Sequence, residues 1–187
     1  MDFKDDFEEI LLTEEEIHEK VEEIGGMITE EFRDQDVLLV GVLRGCITFI
    51  SDLMRTIPFP IEVDFLDVSS YGKTSQTSGV VRVLKDLSEE IEGRHVVLVE
   101  DIVDSGLTLN YLLGYLKARQ PATIRTCVLL DKPYRREVEV EVDYTGFEVP
   151  DKFLVGYGLD FAQKYRNLPY IATIKDEVVK REESSNG

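Results

Sequence analysis

Apolar residues are concentrated in short runs that predict the strands of a sheet. Three runs are almost continuously apolar, as is typical of strands buried on both faces: Val37–Leu43, His95–Glu100 and Ile124–Leu130. A further strand is predicted at Ile61–Val68, and shorter strands at Phe153–Val155 and Ile171–Ile174. Apolar and polar residues alternate from Val80 to Leu84, which predicts a strand at the edge of the sheet.

Helical patterns lie between these strands. Thr13 and Glu16 fit a capping box and apolar residues follow at helical spacing, so a helix is predicted from about residue 14 to 33. Two more helices are predicted, at Gly45–Arg55 and at Leu107–Arg119. Strands that alternate with helices indicate an α/β fold, with a mostly parallel central sheet flanked by helices. No linker divides the sequence, so residues 1–187 are predicted to form one domain.

Two segments lack the pattern of a core element. The segment Ser69–Gly79 is rich in serine, threonine and glycine, and this composition predicts a flexible loop. The tail from about Asp176 is polar, and we expect it to fray.

The composition fits a globular protein and narrows the range of functions. Hydrophobic residues make up 43% of the 187 residues and charged residues 32%, which excludes a disordered chain. No apolar run reaches the length of a membrane span and the first residues are acidic, so we expect a cytoplasmic protein without a membrane partner. The net charge of −17 disfavours binding to nucleic acid. Cys46 and Cys127 lie in apolar surroundings and are predicted to be buried free thiols.

The strongest chemical signal lies between Val96 and Thr108. An apolar strand ends there in Glu100 and Asp101, and the following turn carries Asp104, Ser105, Gly106 and Thr108. Ligands of open α/β sheets bind at the carboxyl ends of strands, and the free amides at a helix start favour a phosphate. The two carboxylates suit a ribose diol or a magnesium ion. The segment therefore predicts a sugar-phosphate site; an acidic strand end with an ordinary helix cap is the alternative.

Five segments together resemble bacterial hypoxanthine-guanine phosphoribosyltransferases. In chain order they are Leu43–Gly45, Ser70–Tyr71, Val96–Thr108, Leu130–Pro133 and Pro150–Asp160. The resemblance runs from about Ile10 to about Lys175 and places the chain among the type I phosphoribosyltransferases. It implies the type I fold, in which terminal segments form a small hood and a flexible loop lies at the active site. It also implies that a phosphoribosyl group passes from phosphoribosyl pyrophosphate to a 6-oxopurine, with Mg²⁺ as cofactor.

The resemblance assigns the sugar-phosphate half of the site to the strongest segment. Glu100 and Asp101 would hold the ribose hydroxyls, directly or through magnesium. The 5′-phosphate would lie against Ser105, Gly106, Leu107 and Thr108. Asp104 would face N7 of the purine as general base, because a carboxylate can accept the proton that the base must lose. A helix-capping role for Asp104 is the alternative.

The resemblance assigns the pyrophosphate to more distant segments. Leu43, Arg44, Gly45 and Arg166 would contact it, and Asp160 would help to hold a second magnesium ion. In relatives the peptide bond at this position is often cis, which would here be a non-proline cis bond between Leu43 and Arg44. Ser70 and Tyr71 would lie on a loop that closes over the reacting centre and excludes water. An ordinary surface loop is the alternative.

Purine recognition is assigned to Lys132, Phe153, Leu154 and Asp160. A lysine has only hydrogen-bond donors, so Lys132 matches the acceptor O6 of hypoxanthine or guanine and not the amino group of adenine. Phe153 would stack on the base, and the backbone at Leu154 would meet the base edge. A solvated surface lysine and a core phenylalanine are the alternatives. The family often has valine where Leu154 stands, which leaves the preference between guanine and hypoxanthine open.

Other functions compete with this interpretation. A regulator that senses phosphoribosyl pyrophosphate would need a basic nucleic-acid surface or an added module, and the sequence shows neither. Lys132 together with Phe153 argues against an enzyme for orotate, uracil or adenine. A purely structural α/β domain would not explain why all five segments of the resemblance occur in the same order along the chain. The sequence therefore indicates a purine salvage transferase that makes IMP or GMP and that, like its relatives, self-associates as a dimer or tetramer.

Overall fold

A computed structural model describes residues 3–70 and 81–185. The strands are β1 (Phe7–Leu12), β2 (Val37–Leu43), β3 (Glu62–Ser70), β4 (Val81–Lys85), β5 (His95–Val103), β6 (Thr123–Asp131), β7 (Tyr144–Glu148), β8 (Leu154–Val155) and β9 (Ile171–Ile174). The α-helices are α1 (Glu14–Phe32), α2 (Ile47–Thr56), α3 (Leu107–Lys117) and α4 (Asp176–Ser185), and short 3₁₀ helices span Phe3–Asp6 and Pro133–Arg135. None of these described helices is long and apolar enough to cross a membrane.

The central sheet brings the ends of five parallel strands to one edge. Its six strands lie in the order β4-β3-β2-β5-β6-β7, and all neighbours are parallel except β4, which runs antiparallel to β3 at one edge. The register pairs Leu43 with Asp67 and Val103 with Asp131. The strands β2, β3, β5, β6 and β7 therefore end at the same edge, which is where ligands of such sheets bind.

Alternate residues of the buried strands fill cores on opposite faces of the sheet. In β2, Val37 and Leu39 pack in the core that α1 and α2 cover, whereas Leu38 and Val40 pack in the core that α3 covers. Both faces are thus sealed from water. This explains why the strand sequences are continuously apolar and confirms the predicted mostly parallel sheet flanked by helices.

The first long helix starts where the sequence predicts. The Glu16 amide donates to Thr13 Oγ1 at 3.2 Å, and the Thr13 amide donates to Glu16 Oε2 at 2.8 Å, which completes the capping box. Ile17, Val21 and Ile24 then point into the core. The N-terminus of α1 is therefore fixed by local hydrogen bonds, and the apolar stripe fixes which face of the helix packs on the core.

The two cysteines are buried free thiols, as predicted. Burial raises the pKa of both thiols, and the nearby charges of Asp101 and Glu100 add to the rise for Cys46. Both cysteines therefore stay protonated at neutral pH and serve as small core residues.

A separate three-stranded sheet forms the hood. Its order is β1-β9-β8, with β9 antiparallel to both neighbours. Leu12, Leu154 and Ile171 from these strands pack in the same core as α1 and α2. The terminal parts of the chain thus meet above one face of the central sheet, as the resemblance implies.

The structure differs from the sequence predictions at several boundaries. Helix α2 begins at Ile47 instead of Gly45, and Ser69 and Ser70 continue β3 because they pair with β4. The polar tail does not fray but forms α4, since Val178 is 4% exposed and packs in the hood. The pattern gave no prediction for β1 and β7. Tyr71 and the remainder of the predicted loop lie outside the described residues.

Candidate active site

Glu100 is buried and Asp101 is partly buried, and both lie near the end of β5. Glu100 Oε1 has no hydrogen-bond partner among the described residues. Burial raises the pKa of Glu100 to about 8, with a further contribution from the charge of Asp101. Burial also raises the pKa of Asp101 to about 6, although backbone hydrogen bonds and the charge of Arg166 oppose this rise. A buried carboxylate without partners requires a cation or hydroxyl donors, so this acidic pair is suited to a ligand.

Three chain segments meet at Asp101. A Cβ atom at Gly45 would overlap the Asp101 carboxylate, and a Cβ atom at Gly158 would overlap the carbonyl oxygen of Gly45. Asp160 Oδ1 lies 2.6 Å from Arg166 Nη2, and Arg166 Nη1 donates to the Gly158 carbonyl at 2.7 Å. The predicted pyrophosphate residues Gly45 and Arg166 are therefore brought to the acidic pair, and only glycine fits at position 45.

The segment after β2 has an unusual backbone. The peptide bond between Leu43 and Arg44 is cis. Arg44 is exposed, and its Nη1 donates to Gln163 Oε1 at 3.2 Å. The guanidinium of Arg44 therefore lies beside the loop that carries Asp160 and Arg166.

The acidic pair fits a magnesium ion better than Asp160 does. Among the residues that the structure describes, no group of three His, Cys, Asp or Glu side chains is arranged to hold a metal. Magnesium in enzymes is commonly bound by one or two carboxylates together with water and substrate phosphates. Glu100 and Asp101 match this requirement. Asp160 is already engaged by Arg166 and by the Gln163 amide, which donates to its Oδ2 at 2.9 Å.

A small cavity of about 130 Å³ lies where β5 leads into α3. Its lining includes Glu100, Asp104, Ser105, Gly106 and Thr108. Gly106 has φ +82°, and a Cβ atom there would lie 2.7 Å from the carbonyl oxygen of Val138. Gly106 is also the N-cap of α3, so Asp104 does not cap the helix as the alternative proposed. The turn thus presents backbone, hydroxyls and a helix start to one small space, which suits a phosphate.

A large cavity of about 1000 Å³ lies on the other side of Asp104. Asp104, Lys132, Phe153 and Leu154 line it, and they come from three separate segments. Phe153 is 51% exposed and meets Phe161 edge to face, with ring centroids 5.3 Å apart. Phe153 is therefore not a core residue, and its exposed ring is available to a flat ligand.

Lys132 is buried at the wall of the large cavity. Its Nζ donates to the carbonyl oxygen of Lys152 at 2.8 Å. Burial lowers the pKa of Lys132, and the charges of Asp104 and Asp151 oppose this change. The alternative of a solvated surface lysine is thus wrong. An ammonium held by one carbonyl has two further protons to donate, which suits an acceptor such as a 6-oxo group.

One predicted purine residue lies elsewhere. Asp160 is not part of the lining of the large cavity, because tight turns between Gly156 and Lys164 direct it toward Arg166. This arrangement does not support the assignment of Asp160 to the purine. It does support a place for Asp160 beside Arg166, one of the predicted pyrophosphate residues. Ser70 belongs to β3, and Tyr71 lies outside the described residues.

The sequence interpretation missed two arginines and one helix. Arg135 lies 2.9 Å from Asp104 Oδ1 and 3.0 Å from Asp151 Oδ1. Arg136 donates to the Asp104 carbonyl at 2.6 Å and pairs with Asp131 at 2.5 Å. Two adjacent arginines just after Lys132-Pro133-Tyr134 in a strongly acidic chain were the available signal. Helix α4 adds Val179 and Lys180 to the lining of the large cavity.

Comparisons with known proteins give one answer for family and fold. The family model for the phosphoribosyl transferase domain matches residues 9–162. Hypoxanthine-guanine phosphoribosyltransferase of Bacillus subtilis is 49% identical over 94% of this chain and 97% of its own length. The Mycobacterium tuberculosis enzyme of the same name is 46% identical, over 92% of this chain and 89% of its own.

Solved structures agree with these sequence matches. The crystal structure of a hypoxanthine phosphoribosyltransferase from Staphylococcus aureus superposes with a TM-score of 0.91 at 41% identity, covering 94% of this chain and 96% of that one. A structure of Trypanosoma cruzi hypoxanthine phosphoribosyl transferase, concerned with the role of its C-terminal region in oligomeric state and activity, has a TM-score of 0.90 at 40% identity. It covers 95% of this chain and 96% of its own.

Proposed function

The chain belongs to the hypoxanthine-guanine phosphoribosyltransferases, and from this membership we propose how its two cavities divide the reaction. The enzyme transfers a phosphoribosyl group from 5-phosphoribosyl 1-pyrophosphate to hypoxanthine or guanine, and the products are IMP or GMP and pyrophosphate. In this proposal the large cavity takes the purine. The small cavity and the acidic pair take the sugar phosphate.

One observation carries the proposal. Asp104, Lys132 and Phe153 are far apart in sequence, yet they line the same large cavity. A general base, a buried cationic donor and an exposed aromatic ring are the three groups that a 6-oxopurine needs at N7, at O6 and on its face. Asp104 also borders the small cavity, so it lies where base and sugar must meet.

Base recognition follows from the chemistry of Lys132. Its ammonium donates to O6 of hypoxanthine or guanine, whereas adenine offers a donor there and would be disfavoured. Phe153 stacks on the base, and the buried Leu154 forms the wall behind the ring edge. A buried polar group left without a partner is costly, so Lys132 contributes selectivity as well as affinity.

Bond exchange takes place at the anomeric carbon. Purine N9 attacks this carbon as the bond to pyrophosphate breaks, and the bonding electrons leave with the pyrophosphate. Asp104 accepts the proton that the purine loses. Holding both reactants in line accounts for much of the rate enhancement, because the reaction needs no covalent enzyme intermediate.

The sugar-phosphate groups are held by the turn between β5 and α3. The backbone and hydroxyls from Ser105 to Thr108 bind the 5′-phosphate, and Glu100 and Asp101 accept hydrogen bonds from the ribose hydroxyls. Arg166, Arg44 and the backbone at Leu43 and Gly45 contact the pyrophosphate, since a planar guanidinium matches phosphate oxygens.

The acidic pair is also the proposed place for Mg²⁺. Glu100 with its unpaired Oε1 and Asp101 would hold the ion, with Asp160 near the pyrophosphate as a weaker candidate. When bound, magnesium supplies positive charge that neutralises the leaving pyrophosphate. Its binding would also favour the ionised form of both carboxylates.

Several further expectations stay predictions from the sequence. Residues 1–187 are proposed to act as one domain, and Ser70 and Tyr71 to close over the reacting groups. Self-association as a dimer or tetramer and a place in the cytoplasm, without nucleic-acid or membrane partners, are proposed from the family.

Nucleotide synthesis tests the proposed function directly. The purified protein is incubated with magnesium, phosphoribosyl pyrophosphate and, in separate reactions, hypoxanthine, guanine, xanthine or adenine. We expect IMP from hypoxanthine and GMP from guanine, and little AMP. Formation of AMP in preference to IMP would contradict the role of Lys132. Tight binding of phosphoribosyl pyrophosphate without any nucleotide would instead favour a regulatory sensor.

A further inference from the structure

Arg135 joins two carboxylates that both line the large cavity, Asp104 and Asp151. It ends the short 3₁₀ helix that begins directly after Lys132. Its Nε lies 2.9 Å from Asp104 Oδ1, and its Nη1 donates to Asp151 Oδ1 at 3.0 Å. One guanidinium therefore contacts the proposed general base and, at the same time, the loop that carries Phe153.

Stability alone does not explain these contacts. The side chains of Arg135, Asp104 and Asp151 are 51%, 42% and 59% exposed. Ion pairs with this much exposure add little to folding, because water screens the charges and long side chains lose rotamer freedom. The three residues do, however, all line the large cavity. Their arrangement is therefore better explained by what the cavity must do.

The contacts of Arg135 reach both the proposed general base and the segment that carries Phe153. Asp104 Oδ1 is a buried atom without a hydrogen-bond partner among the described residues, and its 2.9 Å contact with Arg135 Nε is an ion pair. With Oδ1 held against Arg135, Oδ2 is the oxygen that remains for a purine proton. Asp151 lies two residues before Phe153, so the same guanidinium also restrains the loop that presents the aromatic ring.

We propose that Arg135 is a positioning residue for the purine half of the reaction. It holds the Asp104 carboxylate in one orientation and ties the Asp151–Phe153 segment to the same point, so that general base and stacking ring keep a fixed separation. This inference rests on the proposed function. It adds a residue that the recognition of the purine requires but that does not itself act on the substrate.

An arginine is needed at this position for a geometric reason. Its planar guanidinium offers donors along two edges and can hold two carboxylates at once, whereas a lysine offers one point charge on a flexible stem. Arg135→Lys therefore keeps the charge but loses the bridge. This variant separates a positional role from a purely electrostatic one.

The central experiment compares Arg135→Gln with a matched control, Arg125→Gln. Arg125 is 39% exposed and also lies between two carboxylates, with Nε 2.6 Å from Glu31 and Nη1 3.6 Å from Asp143, but it is not part of either cavity lining. We expect kcat/KM for hypoxanthine to fall by about 10- to 100-fold in Arg135→Gln, as misplacing a reacting group does. KM for phosphoribosyl pyrophosphate should stay within about twofold, and Arg125→Gln should match the unmodified enzyme.

A double-mutant cycle tests the bridge itself. Asp151→Asn alone should lower kcat/KM for hypoxanthine by roughly 3- to 10-fold. Combined with Arg135→Gln it should cause no further loss in kcat/KM, because the contact between Arg135 and Asp151 is then already lost. In Arg135→Lys, the logarithm of kcat/KM for hypoxanthine should lie closer to the value of Arg135→Gln than to that of the unmodified enzyme.

Three results would overturn the inference. They are hypoxanthine kinetics in Arg135→Gln equal to those of Arg125→Gln, full recovery in Arg135→Lys, and independent effects of the Arg135 and Asp151 changes. Each requires an unmodified enzyme that makes IMP. An unmodified enzyme that makes no nucleotide from any purine would contradict the proposed function instead, so the two failures are distinguishable.

Discussion

The two halves of the site handle charge in opposite ways. In the sugar-phosphate half, Glu100 is buried, its Oε1 is without a hydrogen-bond partner among the described residues, and its pKa is raised. In the purine half, Asp104 and Asp151 share the guanidinium of Arg135 and are partly exposed. The sugar-phosphate half therefore holds a buried carboxyl group that is costly to ionise without a cation, whereas the carboxylates of the purine half already have a cationic partner before any ligand arrives.

This difference matches the charges of the two substrates. A purine base is neutral, and a cavity with balanced charges can bind it by hydrogen bonds and stacking. Phosphoribosyl pyrophosphate is highly anionic, and buried carboxylates would repel it unless cations came with it. The sugar-phosphate half thus needs magnesium in a way that the purine half does not.

Removal of magnesium should have the largest effect. Chelation by EDTA is expected to reduce nucleotide formation to background, because the acidic pair and the pyrophosphate would then face each other without a cation. Adding excess magnesium should restore the rate. The measurement is IMP formation from hypoxanthine with and without chelator. Undiminished turnover in EDTA would show that the acidic pair does not depend on a metal.

Asp104→Asn should have the next largest effect. Asparagine keeps the shape of the side chain but cannot accept the purine proton, so we expect kcat to fall by roughly 10²- to 10⁴-fold. The side chain is 42% exposed, and the melting temperature should change little. Steady-state kinetics and thermal melting measure the two quantities. Near-normal turnover would remove Asp104 from the role of general base.

Lys132→Ala should weaken the use of 6-oxopurines. Loss of one charged hydrogen bond to O6 predicts a fall of about 10- to 100-fold in kcat/KM for hypoxanthine. KM for phosphoribosyl pyrophosphate should be nearly unchanged, because Lys132 lines only the large cavity. Kinetics with each substrate varied in turn provide the check. An equal loss for both substrates would show that Lys132 is not specific to the purine half.

The smallest effect should appear in the pH dependence of stability. The folded pKa of Glu100 is about 8, above its usual value of 4.5, so ionisation favours the unfolded chain. The stability of the metal-free protein should therefore be greatest below pH 4.5, as far as Glu100 determines it, and should decline as the pH rises to about 8.

Glu100→Gln removes this titration. The melting temperature of the metal-free variant should exceed that of the unmodified protein by roughly 4 °C at pH 8, with a smaller difference at pH 5. Thermal melting at both values, in the presence of chelator, measures the effect. An equal difference in melting temperature between the two proteins at both pH values would mean that Glu100 is not held in an unfavourable buried state.

The same two halves differ in how far the sequence predicts them. In the sugar-phosphate half, the acidic pair and the turn before α3 lie in one continuous segment, where an apolar strand, two carboxylates and a helix start follow each other, so local patterns suffice to predict them. The purine half is assembled from distant segments. Nothing near Arg135 in the sequence shows that Asp104 and Asp151 will be its partners, because that depends on how the hood folds over the sheet.

Helix α4 illustrates the same limit. Its sequence is largely polar, and a polar tail is expected to fray when judged by itself. In the folded chain Val178 packs in the hood core, and Val179 reaches the large cavity. A few tertiary contacts thus outweigh weak local preferences.

The central place of β9 in the hood sets an order of events during synthesis. All strands of the central sheet, and the turn between β5 and α3, lie before Val149, so they emerge from the ribosome before Ile171–Ile174 do. Throughout that interval β1, the first strand to emerge, has no partner. Glu8 and Glu9 within β1 are exposed charges of the kind that discourage pairing with a stray strand. A nascent chain therefore gains its phosphate turn early and its base pocket last.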